Sequence, residues 1–262
     1  MKKKDYIKAM EELEPVFFEA GRLAVKLQEN IILKTKLGTG VSEIDIVTNA
    51  DTAVQELVLS VVSKTILSQC RLVAEEKTES VDKFNPNGEF LLAIDPIDGT
   101  YRYADGGKLY SLIISLQSKG LPFYTFVYYP AFGWIHRFVN DSHFEEGNKP
   151  EIIVKKIEKA ITYSYGDPKI KVPNSEIQKM EDRGYSFVNK KLLTSDCGAT
   201  HLLLSGEADG FYCEEPLAVD GLLGLHYALA HGLEIHNAII NDWPKEGFGG
   251  IRYSNYYFVV RN

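Results

Sequence analysis

The sequence predicts a mixed α/β fold, and three stretches of the chain support that prediction. From Tyr6 to Glu29, apolar residues recur at the spacing of an amphipathic helix. The middle of the chain holds short apolar runs separated by glycine and proline, which is typical of an antiparallel meander. After about Glu151, short apolar strands alternate with helical patterns, as they do in α/β units.

In the N-terminal half, "IDIVTNADTAVQELVLSVVSKTI" predicts a short strand, a turn and a helix over about residues 52–67. The runs "RLVAEE" and "EFLLAIDP" predict short strands that end in acidic residues. The meander comprises "SLIISLQSKG", "LPFYTFVYYPAFG" and "WIHRFV".

In the C-terminal half, strands are predicted at residues 161–165 and 185–189 and at "YYFVVR". Helices are predicted at residues 174–183, 197–205 and 220–231. We divide the chain into residues 1–150 and 151–262. Because no low-complexity linker separates these halves, we expect them to pack tightly against each other.

Composition and charge exclude several classes of protein. The chain has 262 residues but no apolar run of the about 18 residues that a membrane span requires. Its formal net charge of -7 disfavours a nucleic-acid polymer as partner. The start carries lysines and then a charged amphipathic helix, not the apolar core of a secretory signal, so we expect a cytoplasmic protein. Cys70, Cys197 and Cys213 lack CxxC spacing and are predicted to be free thiols.

Carboxylates follow several apolar segments of the chain. They are Asp51 after "IVTNA", Glu75 and Glu76 in "LVAEE", Asp95 and Asp98 in "AIDPID", and Asp220 in "PLAVDG". Because α/β proteins build their sites at the carboxyl ends of strands, we expect these acids to converge.

The segment Asp95-Pro96-Ile97-Asp98 predicts a cation site. Residues three apart on a strand point to opposite faces, but proline cannot continue a central ladder, so we expect a turn at Pro96. Both carboxylates and the Ile97 carbonyl could then face one cation. Oxygen-only ligands favour hard ions such as Mg²⁺.

The next two residues, Gly99 and Thr100, could present backbone N–H groups at a helix start to a phosphate. Acids that hold cations beside such amides would make a metal-assisted phosphatase. A surface turn is the alternative interpretation, since Asp, Pro and Gly are common turn residues. The apolar "FLLAI" before the segment favours the site. Phosphatases with an aspartyl nucleophile carry two acidic residues two positions apart, whereas Asp95 and Asp98 are three positions apart. The sequence therefore fits that class of phosphatase poorly.

With these motifs, the chain resembles the inositol monophosphatase superfamily of Mg²⁺-dependent, often lithium-sensitive phosphatases. "AIDPIDGT" is similar to its signature, and "VTNADTAVQE", "LVAEE" and "GEADGFYCEEPLAVDG" are similar to three further motifs, in the same order. The resemblance runs from about Leu33 to Gly232. It implies a layered α/β/α/β/α sandwich of the inositol monophosphatase and sugar phosphatase type, and a homodimer.

The resemblance also implies a role for each site residue. Glu75, Asp95 and the Ile97 carbonyl would hold one Mg²⁺, and Asp95, Asp98 and Asp220 would hold a second. A weaker third ion would involve Glu75 through waters. Thr100, oriented by Asp51, would position the attacking water, and the Gly99 and Thr100 amides would bind the phosphate. Glu76 would orient the cluster, or be a solvated acid at a strand end.

Departures from the family lie on the substrate side. Arg102-Tyr103 replaces the usual asparagine-phenylalanine, and Val219 replaces a tryptophan. Cys213 stands where inositol-specific members carry a glutamate that binds a sugar hydroxyl, and Glu214 next to it would point elsewhere if the backbone is unchanged. The candidate substrate-side residues are Arg102, Cys213 and Glu214. Lys34 and Lys36 lie where the family sometimes has a phosphate-side lysine.

Together these features predict a Mg²⁺-dependent phosphomonoesterase that acts on a small phosphorylated polyol or sugar. Because the C-terminal segment loosely resembles that of 3'-phosphoadenosine 5'-phosphate nucleotidases, such a nucleotidase is the first alternative, with Arg102 on the extra phosphate. A sugar bisphosphatase and a catalytically weak phospho-ligand binding protein on the same fold are further alternatives.

Overall fold

The computed structural model describes residues 2–35, 46–194, 197–237, 242–247 and 250–261. Its α-helices are α1 (Lys3–Gln28), α2 (Asn49–Val62), α3 (Thr100–Ala104), α4 (Pro168–Lys171), α5 (Asn174–Asp182), α6 (Ala199–Leu204) and α7 (Leu223–His231). Single 3₁₀ turns lie at Ile66–Gln69, Val81–Lys83 and Lys190–Leu192.

Two larger sheets organise the chain. The strands of the six-stranded sheet are β3 (Arg71–Ala74), β4 (Leu91–Asp98), β5 (Ser111–Ser118), β6 (Leu121–Tyr129), β7 (Trp134–Val139) and β8 (Ser142–Glu146). They lie in the order β3-β4-β5-β6-β7-β8. The strands of the five-stranded sheet are β9 (Ala160–Tyr163), β10 (Ser186–Asn189), β11 (Gly210–Glu214), β12 (Glu234–His236) and β15 (Tyr256–Val260). They lie in the order β10-β9-β11-β15-β12. Two hairpin-like pairs complete the described strands, β1 (Leu33–Thr35) with β2 (Ile46–Thr48) and β13 (Lys245–Gly247) with β14 (Gly250–Arg252).

These elements form five layers. On one face of the six-stranded sheet, α1 and α2 bury an apolar core that includes Phe17, Val58 and Ile114. On its other face, α6 and α7 lie between the two sheets, in a core shared by Trp134, Leu225 and other apolar residues. The outer face of the five-stranded sheet is covered by α4 and α5. The predicted α/β/α/β/α sandwich and the antiparallel meander of β5 to β8 are therefore confirmed.

The start of α2 differs from the prediction. Thr48 accepts a hydrogen bond from the Ala50 N–H, and the Asp51 carboxylate accepts one from the Thr48 N–H. This capping box starts the helix at Asn49 rather than near Thr52. Asp51 consequently lies in the first turn of α2, not at the end of a strand.

The path of the chain at Pro96 also differs from the prediction. β4 does not turn at the proline but continues through Asp98. Its pairing with β5 shifts register between Asp95 and Asp98, so the proline lies at a β-bulge, where no ladder hydrogen bond is required of it. The prediction of a turn is therefore wrong, because an irregularity in the ladder accommodates the proline instead.

The remaining boundaries agree with the predictions to within a few residues, except that α7 begins at Leu223 and leaves Asp220 in the preceding loop. The large sheet comes from residues before 150 and the smaller sheet from residues after 151, but the division into two domains stays a prediction. Among the described residues, no helix has both the length and the apolar character to cross a bilayer. The three cysteines are free, as predicted.

Candidate active site

Three predicted acids converge at one point between the two sheets. Asp95 and Asp98 come from β4 and its bulge, and Asp220 comes from the loop before α7. One carboxylate oxygen from each lies within 4.8 Å of the others. We call these three residues the acidic cluster.

The acidic cluster is electrostatically unfavourable when all of its members are ionised. Burial raises the pKa of Asp95 well above its usual value, and the charges of Glu75, Asp98 and Asp220 raise it further. Burial and the charge of Asp98 raise the pKa of Asp220 to about 7. Burial also raises the pKa of Asp98, although the nearby Arg102 opposes that effect.

The chemistry of the donors fits a hard divalent cation. The cluster offers carboxylate oxygens and no nitrogen or sulfur ligand, which suits Mg²⁺ better than a transition metal. A divalent cation would also relieve the repulsion that raises the carboxyl pKa values.

The β-bulge orders the residues of the signature through local hydrogen bonds. The Ile97 N–H donates to Asp95 Oδ1 at 3.0 Å, and the Thr100 hydroxyl lies 2.9 Å from the Ile97 carbonyl. The Ser111 hydroxyl donates to Asp98 Oδ2 at 3.2 Å. These hydrogen bonds orient the carboxylates of Asp95 and Asp98.

Thr100 also connects the bulge to α2. Its hydroxyl lies 3.1 Å from Asp51 Oδ1, within hydrogen-bonding distance. The other carboxylate oxygen of Asp51 accepts the Thr48 hydroxyl at 2.6 Å and the Thr48 N–H at 2.7 Å. Asp51 is fully buried, and burial raises its pKa although these hydrogen bonds oppose the effect. The structure therefore brings Asp51 and Thr100 together, as the resemblance implies.

A buried glutamine that the sequence analysis missed positions the acidic end of β3. The Gln55 side chain donates from Nε2 to the Glu76 carbonyl at 2.6 Å and accepts the Glu76 N–H at 2.9 Å. This amide satisfies the backbone of Glu76 as a neighbouring strand would, and it fixes Glu75 beside Asp95. A sequence signal exists, because Gln55 lies four residues after Asp51 and so shares its face of α2.

The backbone conformation at position 99 favours glycine. Its φ is +89°, in the left-handed region, and its carbonyl accepts the N–H groups of Arg102 and Tyr103. The glycine thus reverses the chain directly after Asp98, and α3 begins at Thr100.

On the substrate side, strand β11 carries two of the predicted residues, and its alternation separates their directions. Cys213 and Glu214 are neighbours on β11, so their side chains point to opposite faces. Glu214 lies 3.4 Å from Lys171 on the outer face. Cys213 is half-buried, and desolvation, together with the charge of Asp220, raises the pKa of its thiol. The contact with Lys171 directs Glu214 away from the acidic cluster, although the substrate-side role of Cys213 stays a prediction.

Two arginines lie near the cluster on different sides. The charge of Arg102 opposes the rise in the pKa of Asp98. Burial, together with the charge of Arg102, lowers the pKa of His201 to about 3. His201 packs against Tyr129, with ring centroids 4.3 Å apart. The second, Arg252, was not singled out by the sequence analysis. Of the two candidate lysines, Lys36 and the side chain of Lys34 lie outside the described part of the structure.

The comparisons with known proteins agree with this geometry. The sequence profile of the inositol monophosphatase family matches residues 8–218. No curated protein matches the chain with significance.

Similar solved structures include the extragenic suppressor protein suhB from Bartonella henselae, with a TM-score of 0.65 and 17% identity, covering 97% of this chain and 94% of that one. The Thermotoga maritima IMPase has a TM-score of 0.62 and 19% identity, with 96% and 92% covered. An IMPase/NADP phosphatase complexed with Mg²⁺ and phosphate has a TM-score of 0.63 and 18% identity, with 98% and 91% covered. At these identities, the likeness concerns the fold.

Proposed function

Since the chain belongs to the inositol monophosphatase family and is a phosphoric monoester hydrolase, we propose that it uses Mg²⁺ at the acidic cluster to hydrolyse a small phosphorylated polyol or sugar. The observation that carries the proposal is the convergence of Asp95, Asp98 and Asp220 beside the hydrogen-bonded pair of Thr100 and Asp51.

The described residues include the donors that the resemblance implies for these ions. Glu75, Asp95 and the Ile97 carbonyl would hold one Mg²⁺, and Asp95, Asp98 and Asp220 a second, with Glu75 near a weaker third. When bound, Mg²⁺ would withdraw charge from the phosphate and lower the pKa of water. An IMPase/NADP phosphatase of the same fold is known in complexes with Mg²⁺ and phosphate and with Ca²⁺ and NADP, which supports a divalent cation here.

The residues around the cluster would handle the attacking water. When the Thr100 hydroxyl donates to Asp51, its oxygen can accept a hydrogen bond from that water and fix its position. The buried Asp51 carboxylate can then receive, by way of Thr100, the proton that the water loses. Its raised pKa favours this role, because a more basic carboxylate takes up a proton more readily.

The phosphate would be bound by the start of α3. The left-handed conformation of Gly99 allows its own N–H and that of Thr100 to approach one anion. On the side of the leaving group, Arg102 and Cys213 are among the residues that differ from the family pattern, and we assign these two to substrate contacts. Glu214 points away from this side, so we exclude it from direct contact.

The test is phosphate release from inositol 1-phosphate, fructose 1,6-bisphosphate and 3'-phosphoadenosine 5'-phosphate with Mg²⁺ present. We expect at least one to be hydrolysed, and Asp95→Asn and Thr100→Ala to reduce kcat by at least 100-fold, on the order of what removing a catalytic group costs. Thr100→Ser should keep much of the activity, because it keeps the hydroxyl. If none of the three substrates reacts, the proposed activity is wrong.

A phospho-ligand binding protein on the same fold is the alternative. It would bind phosphate esters without turnover, and Asp95→Asn would then change affinity alone. The Asp51–Thr100 pair argues against it, because a binding protein needs no group to accept a proton from water. Homodimer formation stays a prediction, which light scattering of the purified protein would test.

A further inference from the structure

Asp220 reaches the acidic cluster from a different part of the fold than the other two acids do. Asp95 and Asp98 lie on β4, where both residues pair with β5 of the six-stranded sheet. Asp220 lies in the loop between β11 and α7, and β11 belongs to the five-stranded sheet. The spacing of the three carboxylates therefore depends on contacts that hold this loop against the six-stranded sheet.

Two side chains anchor the loop, one on each side of Asp220 in the sequence. After Asp220, the Gly221 carbonyl accepts the hydroxyl of Tyr257 at 2.6 Å, and this tyrosine lies on β15 of the five-stranded sheet. Before Asp220, the Ala218 carbonyl accepts a hydrogen bond from Gln117 Nε2 at 2.7 Å, and this glutamine lies on β5. Of these two anchors, it is Gln117 that ties the loop to the sheet of the other two acids.

The amide of Gln117 is held by hydrogen bonds from both of its ends. Its Nε2 also donates to the Ser115 hydroxyl at 2.7 Å, and its Oε1 accepts the Tyr253 hydroxyl at 2.6 Å. Because the Ala218 carbonyl can accept a hydrogen bond but cannot donate one, the amide nitrogen must face it. The side chain is buried, so these contacts fix the amide in one orientation.

The same strand also contacts Asp98. Alternate residues of a strand point to one face, and Ser111, Ser115 and Gln117 share the face of β5 that meets the C-terminal half. At one end of this face, the Ser111 hydroxyl donates to Asp98 Oδ2. At the other end, Ser115 and Gln117 line one side of a narrow space, and Asp220 lies on its opposite side. A single strand therefore contacts both Asp98 and the loop of Asp220.

Loss of the amide would leave the Ala218 carbonyl without its donor. The space beside it is too small to admit a water molecule, so water would not replace the amide. A buried carbonyl without a partner is costly, and a shift of the loop is the way to satisfy it. Asp220 is two residues away and would move with the loop. Since Mg²⁺ requires near-ideal octahedral geometry at about 2.1 Å, such a movement lowers its affinity.

We propose that Gln117 is a positioning residue: it sets how far Asp220 lies from the two acids of β4, and thereby the affinity of the acidic cluster for Mg²⁺. The inference rests on the proposed function and adds a residue that touches neither the metal nor the substrate. Groups that orient metal ligands change metal affinity by about 10- to 100-fold when they are removed. An ion that does not use Asp220, as the resemblance implies for the ion on Glu75, should be affected little.

The experiment is a calorimetric titration of the metal-free protein with Mg²⁺ alone. Asp220→Asn identifies the ion that needs Asp220, because its binding is lost in that variant. Gln117→Leu should raise the Kd of this ion by roughly 10- to 100-fold and that of the other ion by less than about twofold. In the double variant, Gln117→Leu should add nothing to Asp220→Asn, because it acts through Asp220. Gln117→Asn, whose side chain is too short to reach the loop, should match Gln117→Leu and replaces it if that variant does not fold.

Two further variants separate the loop contact from general stability. Tyr253→Phe keeps the hydrogen bond to Ala218, so the Kd should change by less than about threefold. The matched control is Tyr124→Phe, which removes a buried hydrogen bond to Glu14 on the opposite face of the same sheet and should leave the Kd unchanged. Urea denaturation in EDTA verifies that each variant folds.

Phosphate release adds a readout that a general loss of stability would not give. With a substrate that the wild type hydrolyses, excess Mg²⁺ should restore the kcat of Gln117→Leu to within about threefold of the wild type, because mass action refills the weakened site. A kcat that stays low at every Mg²⁺ concentration would indicate that the substitution damages the site itself.

The outcomes distinguish this inference from the proposed function. An unchanged Kd in Gln117→Leu, equal losses for both ions, or a kcat that excess Mg²⁺ does not restore would overturn the inference. If esters are hydrolysed and the Kd is unchanged, the inference fails alone. If no ester is hydrolysed but the Kd shift is found, the proposed function fails and the role of Gln117 in cation binding stands. A wild-type protein that binds no Mg²⁺ would refute both.

Discussion

The burial of Asp220 predicts that removal of its charge stabilises the protein when no metal is bound. Burial and the charge of Asp98 raise the pKa of Asp220 to about 7, compared with 3.8 for an ordinary aspartate. At pH 8 this difference corresponds to about 4 kcal/mol of unfavourable free energy in the folded state. An asparagine amide in the same place must find its own hydrogen bonds, so we expect Asp220→Asn to stabilise the metal-free protein by about 2 kcal/mol.

The effect has a definite dependence on pH. The folded protein keeps the Asp220 proton to higher pH than the unfolded chain does, so the destabilisation grows as the pH rises from about 4 to about 7. The difference in unfolding free energy between Asp220→Asn and the wild type should therefore be largest at pH 8. At pH 4.5 the charge of Asp220 costs the folded wild type only about 1 kcal/mol, so the amide's cost of about 2 kcal/mol outweighs it and the variant should be about 1 kcal/mol less stable than the wild type.

Urea denaturation in EDTA at both pH values measures this difference. Addition of Mg²⁺ should reverse the order of stability at pH 8, because a ligand at about 100 times its Kd stabilises the wild type by about 2.7 kcal/mol and the variant binds it poorly. Asp141→Asn, at an exposed aspartate in the turn between β7 and β8, is the matched control and should show neither effect. A variant less stable than the wild type in EDTA at pH 8 would refute the reasoning.

Three further predictions concern the surroundings of the site. Gln55→Leu should reduce both activity and the free energy of unfolding, the latter by about 2–3 kcal/mol, because it removes both hydrogen bonds to Glu76; urea denaturation and phosphate release measure the two effects. Gly99→Ala should destabilise the protein by about 1–2 kcal/mol because of the φ of +89°, whereas Gly198→Ala, where the added methyl group meets no atom within 4 Å, should be close to neutral. Burial lowers the pKa of His226 to about 4. As the pH drops from 6.5, this histidine therefore takes up a proton in the unfolded chain before it does so in the folded protein, and the free energy of unfolding falls. His226→Gln should consequently lose about 2–3 kcal/mol less than the wild type between pH 6.5 and 4.5, and an unchanged acid profile would contradict this.

Short local sequence patterns were sufficient to predict which acidic residues lie together in the site. The signature around Asp95 and Asp98 and the strand end at Glu75 are short, contiguous patterns, and the structure places them together. The helical position of Asp51 was also encoded locally, since Thr48 and Asp51 are spaced as in a capping box. Here the apolar residues before Thr48 favoured a strand end, and the cap determined where the helix begins.

Other features depend on partners that are distant in the sequence. Whether Pro96 ends β4 or lies in a bulge is decided by the ladder with β5, which can shift its register between Asp95 and Asp98. The proline alone indicates only that a regular ladder is interrupted. The position of Tyr253 beside the Asp220 loop depends on Gln117, which accepts the Tyr253 hydroxyl at 2.6 Å and donates to the Ala218 carbonyl at 2.7 Å.

Strand register also depends on distant partners, and it decides which side chains of β11 face the acidic cluster. The register of β11 against β15 is unbroken from Gly210 to Glu214, so alternation directs Cys213 to the acidic cluster and Glu214 to the outer face. A shift of one residue would exchange them and direct the carboxylate of Glu214, in place of a thiol, toward the acidic cluster. The continuous pairing prevents that exchange and keeps Glu214 on the outer face, 3.4 Å from Lys171. The register of β11 therefore keeps a further negative charge away from carboxylates that already repel one another.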